Sequence, residues 1–364
     1  MNIQHLKLLN YRTYEKLDLT FSPSMNIIYG NNGVGKTNLI ESIYVLALTK
    51  SFRGIVDKVL IMNNKEFTKI VGKVENKYVD EYKIIINDKG KKVNINGNNI
   101  PKLSDYISKI NIVLFNPDDL RFIKDIPATR RKYINLDISQ INNSYLKNLN
   151  SYNKLLKQRN MYLKNMYVNS NKSKDYLKAL TEKLVDYGIN IYKFRKKYVE
   201  MLNNEIKDIY YKICGIDNLR IVYNSSYNNL SKEELLAKYE DNLEKDILFG
   251  VTNFSLNHDD IVFYMGDYNI KNYGSEGQQK NAIIAYKFAL INIIHNIKGV
   301  YPILILDDLF SELDRSKINN ILKFINKNIQ TFITTTEIDK LNKDLLSSSK
   351  KFEILRDGKI REVI

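Results

Sequence analysis

The sequence predicts an α/β protein in which a mostly helical segment interrupts a head built around a β-sheet. Three observations predict this architecture. Strand-like alternation dominates the N-terminal part, helical periodicity with almost no glycine and no proline fills residues 128–213, and helices alternate with strands from Gly274 onward. The predicted regions are a head of residues 1–125 and 252–364 and a helical insertion of residues 126–251.

The N-terminal part is predicted to contain strands around one helix. Alternating apolar residues predict strands at residues 3–9, 17–21 and 25–29. Helical spacing follows over residues 37–48. Between residues 67 and 97, short strands are separated by turn sequences such as Asn96-Gly97, which favours a tight hairpin. The apolar run from Ile110 predicts a buried strand.

Two apolar stripes predict an antiparallel helical hairpin in the insertion. The first stripe consists of Leu149, Tyr152, Leu156, Leu163 and Met166. The second, spaced alternately by three and four residues, consists of Leu177, Leu180, Leu184, Tyr187, Ile191, Phe194, Tyr198 and Met201. The polar stretch 168–174 separates them. We expect each arm to be roughly 60 Å long, for about 40 residues at a rise of 1.5 Å.

The rest of the chain returns to mixed structure. A strand is expected at residues 219–223, and the spacing of Ser231 and Glu234 predicts a capping box at the start of a helix. The later predicted elements are a strand at 261–265, a helix to about 294, a strand at 302–306, a helix near 317–326, a strand at 331–335 and a hairpin turned at Asp357-Gly358.

The composition excludes several classes of protein. At 44% hydrophobic and 27% charged residues, the chain is globular. It has no run of eighteen apolar residues and no signal-peptide core, so no membrane association is expected. A single cysteine, Cys214, excludes an internal disulfide, and three histidines leave little for a zinc cluster. We therefore expect a cytoplasmic protein.

The net charge of +15 suits a polyanionic partner, above all nucleic acid. A lysine-rich composition with no functional meaning is the alternative. Candidate phosphate contacts form three clusters: Arg130, Arg131 and Lys132; Lys193, Arg195, Lys196 and Lys197; and Lys89, Lys91 and Lys92. For each cluster a solvated surface is the alternative. DNA binding through such residues would be independent of sequence and sensitive to salt.

A phosphate-binding loop follows the third predicted strand. The sequence GNNGVGKT fits the pattern G-x-x-x-x-G-K-[ST] and consists of Gly30, Asn31, Asn32, Gly33, Val34, Gly35, Lys36 and Thr37. In this pattern backbone N–H groups surround phosphate oxygens, and the following helix adds its positive end. Lys36 would neutralise the β and γ phosphates of ATP, and Thr37 would bind Mg²⁺. A plain glycine turn is the alternative.

A carboxylate pair near the C-terminus completes the predicted site. Asp307 and Asp308 stand at the carboxyl end of a buried strand, where ligands bind in open α/β sheets. Asp307 is the expected Mg²⁺ ligand, through water, and Asp308 would orient or deprotonate the attacking water. A solvated Asp-Asp turn is the alternative. The 270 residues between Thr37 and Asp307 exceed the separation in compact P-loop kinases and resemble the heads of ATP-binding cassette (ABC) ATPases.

The turn Ser275-Glu276-Gly277-Gln278 precedes an apolar helical run and would, by itself, merely cap that helix. In cassette ATPases a Ser-x-Gly-Gln turn caps the γ-phosphate that a second subunit holds. The hydroxyl of Ser275 and the N–H of Gly277 are suitable donors. The resemblance therefore implies that Ser275, Gly277 and Gln278 bind ATP in an ATP-dependent homodimer. Ser311, Leu313 and Asp314 resemble the loop that crosses such an interface.

Four stretches together resemble the RecF family of recombination mediator ATPases, over essentially the whole chain. They are YRTYEKLDLTFSPSMNIIYGNNGVGKTNLIESIYVLALTKSFRG from Tyr11, LFNPDDLRFIKDIPATRRKYINLDISQI from Leu114, YGSEGQQKNA from Tyr273 and PILILDDLFSELD from Pro302. The resemblance implies an ABC-type head whose second, mostly helical lobe carries a short antiparallel coiled-coil arm.

The resemblance also implies a function. Family members bind DNA, work with the mediators RecO and RecR, and help load the recombinase at single-strand gaps in recombinational repair, replication restart and the SOS response. Their weak, DNA-stimulated ATP hydrolysis would serve as a clamp switch. Two features depart from related patterns: His258 stands where the family has arginine, and Thr334 to Thr336 stand where transport cassettes have a histidine. The glutamine of the cassette Q-loop has no clear equivalent, and Phe115 marks the nearest context.

Two other functions would account for parts of this pattern. The head of a chromosome-structural or nuclease-associated ATPase of related fold would call for a much longer coiled coil or a nuclease metal cluster. A P-loop enzyme that phosphorylates a small molecule would leave the turn at Ser275 and the sequence SELD from Ser311 unexplained.

Overall fold

The chain forms two compact units. The computed structural model describes residues 1–168, 173–309, 315–341, 343–356 and 358–363. The first unit comprises Met1–Asp119 and Ile284–Ile364, and the second comprises Leu120–Ile283. Residues 252–283, which the sequence assigned to the head, therefore group with the helical arm. The reason is a small sheet shared with residues 219–224 and two buried ion pairs, Arg195 with Asp259 and Arg130 with Asp260, which join this segment to the helices of the second unit.

The bounds of the secondary structure agree closely with the sequence predictions. The strands are β1 (Asn2–Tyr11), β2 (Tyr14–Thr20), β3 (Met25–Tyr29), β4 (Phe67–Glu75), β5 (Val79–Asn87), β6 (Gly90–Ile95), β7 (Asn98–Asn99), β8 (Ile112–Phe115), β9 (Leu219–Asn224), β10 (Asp260–Met265), β11 (Tyr268–Asn269), β12 (Ile303–Asp307), β13 (Thr331–Thr335), β14 (Lys350–Ile354) and β15 (Ile360–Val363). The helices are α1 (Lys36–Leu48), α2 (Leu103–Tyr106), α3 (Arg121–Lys124), α4 (Pro127–Ile141), α5 (Asn143–Val168), α6 (Lys174–Cys214), α7 (Lys232–Asp241), α8 (Leu243–Phe249), α9 (Ile270–Tyr273), α10 (Glu276–Lys298), α11 (Arg315–Phe324) and α12 (Lys343–Ser347).

Two sheets build the first unit. One is antiparallel, with strand order β2-β1-β4-β5-β6-β7, and the other has the order β15-β14-β3-β13-β12-β8. In the second sheet β14, β3, β13, β12 and β8 run parallel. Its central strands β12 and β13 are buried throughout, which explains their continuous apolar sequences. Helix α1 contacts strands of both sheets and is buried along most of its length.

The helical arm of the second unit has two unequal helices. α5 has 26 residues and α6 has 41, so they are about 39 Å and about 62 Å long. The prediction of two arms of roughly 60 Å is therefore wrong for the first arm. Asn142 ends α4 in an extended conformation, and its side chain accepts hydrogen bonds from the N–H groups of Ser144 and Tyr145, which starts a new helix.

The rest of the second unit packs against this arm. β11, β10 and β9 form an antiparallel sheet whose strands contact α4 and α6. The capping box of α7 is confirmed: Glu234 N–H donates to Ser231 Oγ at 3.2 Å, and Ser231 N–H donates to Glu234 Oε2 at 2.7 Å. Of the predicted connection between the arm helices, residues 169–172 lie outside the described residues, as does Asp357 of the closing turn.

No helix in the described part of the chain is both long enough and apolar enough to cross a membrane. Cys214 lies at the end of α6, where its thiol donates to the carbonyl oxygen of Tyr210 at 3.1 Å.

Candidate nucleotide-binding site

The loop between β3 and α1 depends on its glycines. Gly30, Gly33 and Gly35 have φ angles of 150°, 80° and 113°. A Cβ at Gly30 would lie 2.5 Å from the carbonyl oxygen of Ile354, and one at Gly35 would lie 2.9 Å from Tyr14 Oη. At Gly33, by contrast, a Cβ would meet no described atom within 4 Å. Close packing therefore requires glycine at positions 30 and 35. Position 33 faces open space and requires glycine because of its φ angle.

Lys36 points its ammonium group back into the loop. Its Nζ donates to the carbonyl oxygens of Gly30 at 2.7 Å and Asn31 at 2.8 Å, and the residue is 7% exposed. Burial lowers the pKa of Lys36, and the carboxylates of Asp308 and Asp307 oppose this shift. A buried ammonium that donates to neutral carbonyls, with the carboxylates acting on it at longer range, would bind a phosphate strongly.

Thr37 and Asp307 meet as predicted, although 270 residues separate them. Thr37 Oγ1 donates to Asp307 Oδ1 at 3.3 Å. Thr334, on the neighbouring strand β13, donates to the same oxygen at 2.7 Å, and its Oγ1 accepts the N–H of Asp308 at 2.9 Å. Asp308 follows β12 with a φ of 51°. The role of Thr334 was not predicted, because local patterns do not show that β12 and β13 are adjacent strands.

The environment of Asp307 fits a divalent cation. Burial raises the pKa of Asp307 above its ordinary value of 3.8, while hydrogen bonds from Thr334 and Thr37 oppose the shift. A carboxylate and a hydroxyl beside a phosphate-binding loop are the hard oxygen ligands that Mg²⁺ takes together with water and phosphate. A bound cation would also relieve the cost of burying this charge. The residues present therefore fit Mg²⁺.

Two buried ionic clusters in the first unit escaped the sequence analysis. Glu41, fully buried on α1, accepts hydrogen bonds from Tyr11 Oη at 3.2 Å and Arg12 Nε at 3.0 Å. Lys287 of α10 pairs with Asp119 at 3.0 Å, and Asp119 Oδ2 accepts the N–H of Asn116 at 2.9 Å. The first cluster had a detectable signal, since a carboxylate interrupts the apolar sequence of α1.

The turn at Ser275 lies in the second unit and forms a capping box. Gln278 N–H donates to Ser275 Oγ at 3.2 Å, and Ser275 N–H donates to Gln278 Oε1 at 2.8 Å. Because the hydroxyl of Ser275 accepts this bond, its proton can go to another acceptor. The nearest described atom to a Cβ at Gly277 would be Ser275 Oγ, at 4.0 Å. The space beside the hydroxyl is therefore open to a ligand. The predicted interface residues Ser311, Leu313 and Asp314 lie outside the described residues.

Several candidate DNA contacts are instead structural ion pairs. Arg195 is 3% exposed and binds Asp259 at 2.9 Å, and the likewise buried Arg130 binds Asp260 at 2.6 Å. The prediction that these two arginines contact DNA is wrong, because buried carboxylates of the second unit neutralise their charges. The sequence showed that the cations cluster but not that partners 64 and 130 residues away would cover them.

The other candidates divide by exposure. Arg131 donates to the carbonyl oxygen of Asp259 at 2.7 Å, and Lys91 pairs with Asp57 at 2.7 Å. The candidates that remain exposed are Lys89, Lys92, Lys132, Lys193, Lys196 and Lys197. His258, which replaces the arginine of the family pattern, is exposed, whereas the acidic pair that follows it forms the buried ion pairs.

Comparisons with known proteins agree with this architecture. The family described as "RecF/RecN/SMC N terminal domain" matches residues 2–353. The chain is 37% identical to "DNA replication and repair protein RecF" of Listeria welshimeri over 362 residues, which cover 97% of this chain and 98% of the relative. The protein of the same name from Halalkalibacterium halodurans is 37% identical over 363 residues with the same coverage.

Solved structures give the same result. The recombination mediator protein RecF-ATPrS in the RecFOR pathway has a TM-score of 0.92 and 29% identity, covering 100% of this chain and 98% of that one. An Smc head bound to the C-winged helix domain of ScpA has a TM-score of 0.56 and 16% identity, covering 100% and 97%, and so shares the fold alone. The chain therefore belongs to the RecF family of DNA replication and repair proteins and has the fold of a RecF/SMC-type ABC ATPase head.

Proposed function

We propose that the chain is a cytoplasmic, ATP- and DNA-binding recombination mediator that pairs with a second copy around ATP and Mg²⁺. The observation that carries the proposal is the contact between Thr37 and Asp307 at 3.3 Å, beside the buried ammonium of Lys36. The glycine loop that carries Lys36 and Thr37 thus meets Asp307, 270 residues further along the chain. The solved relative named as RecF-ATP, 30% identical, supports ATP as the ligand.

Each residue of the site has a defined task in this proposal. The backbone N–H groups of residues 30–35 and the ammonium of Lys36 bind the phosphates. Thr37 and Asp307 hold Mg²⁺, which when bound neutralises negative charge on the phosphates. Asp308 orients the attacking water and accepts its proton. ATP hydrolysis is weak and stimulated by DNA, and it serves to switch the clamp between its states.

The γ-phosphate is capped from a second copy. The hydroxyl of Ser275, the N–H of Gly277 and the start of α10 lie beside open space and offer hydrogen-bond donors to an anion there. Gln278 holds Ser275 in place through the reciprocal hydrogen bonds. Dimerisation therefore follows ATP binding, because the cap has a ligand only when a second copy presents one.

DNA binding rests on exposed lysines and on net charge. Lys193, Lys196 and Lys197 are exposed on α6, and the chain carries a net charge of +15. Contacts of this kind bind the phosphate backbone without reading sequence, so the partner is DNA of no fixed sequence. The RecFOR pathway named for the solved relative suggests RecO- and RecR-type mediators as partners in loading the recombinase at single-strand gaps.

The dimer is tested with Ser275→Arg, which fills the space beside the cap with a bulky side chain. Sedimentation velocity with ATP and DNA should show wild-type dimers and variant monomers. Ser231→Arg is a matched control, since Ser231 forms the same kind of capping box at the start of α7. Normal ATP-dependent dimerisation of Ser275→Arg would refute capping between copies.

The loop is tested separately with Lys36→Arg. The longer, planar guanidinium keeps the charge but cannot sit between the two loop carbonyls as the ammonium does. We expect nucleotide binding to persist and hydrolysis to fall strongly in a phosphate-release assay. Lys50→Arg, at an exposed lysine just beyond α1, is the control. Hydrolysis at the wild-type rate in Lys36→Arg would contradict the assignment of the loop.

A further inference from the structure

Two exposed tyrosines stand beside the turn at Ser275. Tyr268 on β11 is 66% exposed and Tyr273 at the end of α9 is 74% exposed. Their ring centroids are 6.1 Å apart, and the ring planes meet at 66°. The two rings thus form an open corner. Exposing this much aromatic surface to water is unfavourable, and a planar ligand that stacks on the rings would bury part of it.

The corner borders a cleft that runs to the turn itself. The cleft has a volume of about 270 Å³ and is lined by Met265, Tyr268, Ile270, Tyr273, Gly274 and Gln278. Its surface is mostly apolar. At the other end it reaches Gln278, which holds the hydroxyl of Ser275. The cleft therefore joins an aromatic surface to a group of anion-binding donors.

The spacing of these two parts is fixed by the backbone. Gln279 is buried, and its Nε2 donates to the carbonyl oxygens of Ile270 at 3.1 Å and Gly274 at 3.2 Å. A Cβ at Gly274 would lie 2.7 Å from the carbonyl oxygen of Ile270, so the chain turns tightly there. The Cα atoms of Tyr273 and Ser275 can be at most about 7 Å apart. The aromatic corner is thus held at a short, constant distance from the phosphate cap.

A ligand that fits both ends of the cleft would have a planar aromatic ring for the tyrosines and a polyphosphate for the turn at Ser275. We propose that Tyr268 and Tyr273 bind the adenine base of the ATP that a second copy holds in its glycine loop, while Ser275 caps the γ-phosphate of the same nucleotide. The inference rests on the proposed ATP-dependent dimer and adds a base-binding site to it. Each copy would then contact both ends of the nucleotide held by the other.

The charges around the corner favour a nucleotide over single-stranded DNA. Sites for single strands combine aromatic rings with a cationic groove. Here Arg220 pairs with Asp267 at 3.7 Å, Lys280 pairs with Glu276 at 3.3 Å, and the ammonium of Lys271 donates to a backbone carbonyl at 3.0 Å. The nearby cations are thus engaged within the second unit, and a DNA backbone would compete for them.

The first test measures self-association of the full chain by sedimentation velocity over a range of ATP concentrations, with DNA present throughout. Tyr268→Ala and Tyr273→Ala should each raise the ATP concentration for half-maximal dimerisation about tenfold, the effect of losing one stacked base. Tyr268→Phe and Tyr273→Phe should restore the wild-type midpoint, because the ring is kept. Tyr211→Ala, at a similarly exposed tyrosine on α6, is the matched control and should match wild type.

The outcomes separate this inference from the function on which it rests. If wild type dimerises with ATP but both alanine variants do so at the wild-type midpoint, the base site is refuted and the dimer stands. If wild type does not associate with ATP and DNA, both fail. The alanine variants could instead lose binding of single-stranded DNA in the absence of nucleotide, while the ATP midpoint of dimerisation stays unchanged. That result would overturn the inference in favour of a DNA site.

A second test locates the base directly. A copy with Ser275→Arg can hold nucleotide but cannot cap its partner, and a copy with Lys36→Ala offers an intact cap without holding nucleotide. After irradiation of the mixture with 8-azido-ATP, the label should appear on the peptide of the second copy that contains Tyr268 and Tyr273. Label confined to the first copy would refute the site.

Discussion

Arg195 and Lys197 lie two residues apart on α6, yet replacing each with alanine should change different properties of the protein. Arg195 is buried, and its guanidinium binds Asp259 Oδ2 at 2.9 Å, Tyr145 Oη at 3.1 Å and Asn135 Oδ1 at 3.1 Å. Lys197 is exposed. Arg195→Ala should therefore destabilise the second unit, whereas Lys197→Ala should leave its stability unchanged and weaken DNA binding.

The magnitude follows from what Arg195 leaves behind. Asp259 is fully buried, burial raises its pKa, and Arg195 is the main group that opposes the shift. Breaking a buried ion pair by removing one partner costs about 3–5 kcal/mol. Without Arg195 the pKa of Asp259 rises further in the folded state, so the folded variant favours the protonated carboxyl. Because the unfolded chain releases that proton more readily, the variant loses more stability as pH rises. Lys197→Ala should change the free energy of unfolding by less than about 0.5 kcal/mol.

The assay combines unfolding with DNA binding. The chain has no tryptophan, so urea unfolding is followed by far-ultraviolet circular dichroism. The arm contributes most strongly to that signal because α5 and α6 together form its longest helices. DNA affinity is measured at several salt concentrations. Lys197→Ala should reduce the slope of log K against log salt by about 0.7–0.9 if it removes one phosphate contact.

Unfolding of Arg195→Ala at the wild-type urea concentration, together with a reduced salt slope, would refute the reasoning and restore Arg195 as a DNA contact. The double variant Arg195→Met with Asp259→Asn gives an internal check. Because it removes both charges, it should be less destabilised than Arg195→Ala alone.

Three further predictions concern the first unit and a helix start. Gly30→Ala should cost more stability than Gly33→Ala in thermal unfolding, because its Cβ would lie 2.5 Å from a carbonyl oxygen of β14; equal losses would contradict this packing. Asp307→Asn should raise the unfolding free energy of the nucleotide-free protein by about 0.5–2 kcal/mol at neutral pH and abolish stabilisation by ATP and Mg²⁺. Since burial raises the pKa of Asp307, this gain should vanish below about pH 4, and a gain independent of pH would refute it. Ser231→Ala should cost about 1 kcal/mol in urea unfolding, and Ser231→Asp, which can still cap α7, should recover it.

Local signals predicted most of the fold. The alternation at residues 25–29 gave β3 with its observed bounds, and the spacing of Ser231 and Glu234 gave a capping box with both hydrogen bonds. The break between α4 and α5 was missed. Apolar residues keep helical spacing across Asn142, and an asparagine that caps a helix looks the same in sequence as one within it. Its effect depends on an extended backbone that periodicity does not report.

Long-range partners account for the rest. The glycine loop and Asp307 were predicted because each has a recognisable pattern and follows the carboxyl end of a predicted buried strand. Sequence shows the charge of Arg130 and Arg195 but not their burial, and the carboxylates that neutralise them lie in another part of the chain. Thr334 was interpreted only through the absence of a histidine at that position. Its actual partners became visible once β12 and β13 were known to be neighbours.

Thr334 explains how Asp307 and Asp308 can be held in position before a nucleotide binds. It donates to Asp307 and accepts the N–H of Asp308, so β13 holds both acidic residues through a single side chain. The bond from Thr37 to Asp307 is longer, 3.3 Å against 2.7 Å, and so is the weaker of the two. Thr37 can therefore exchange this bond for a cation at low cost while Thr334 keeps Asp307 in position. Groups fixed in this way need little reorganisation when charge develops, which is the condition under which they contribute most to a reaction.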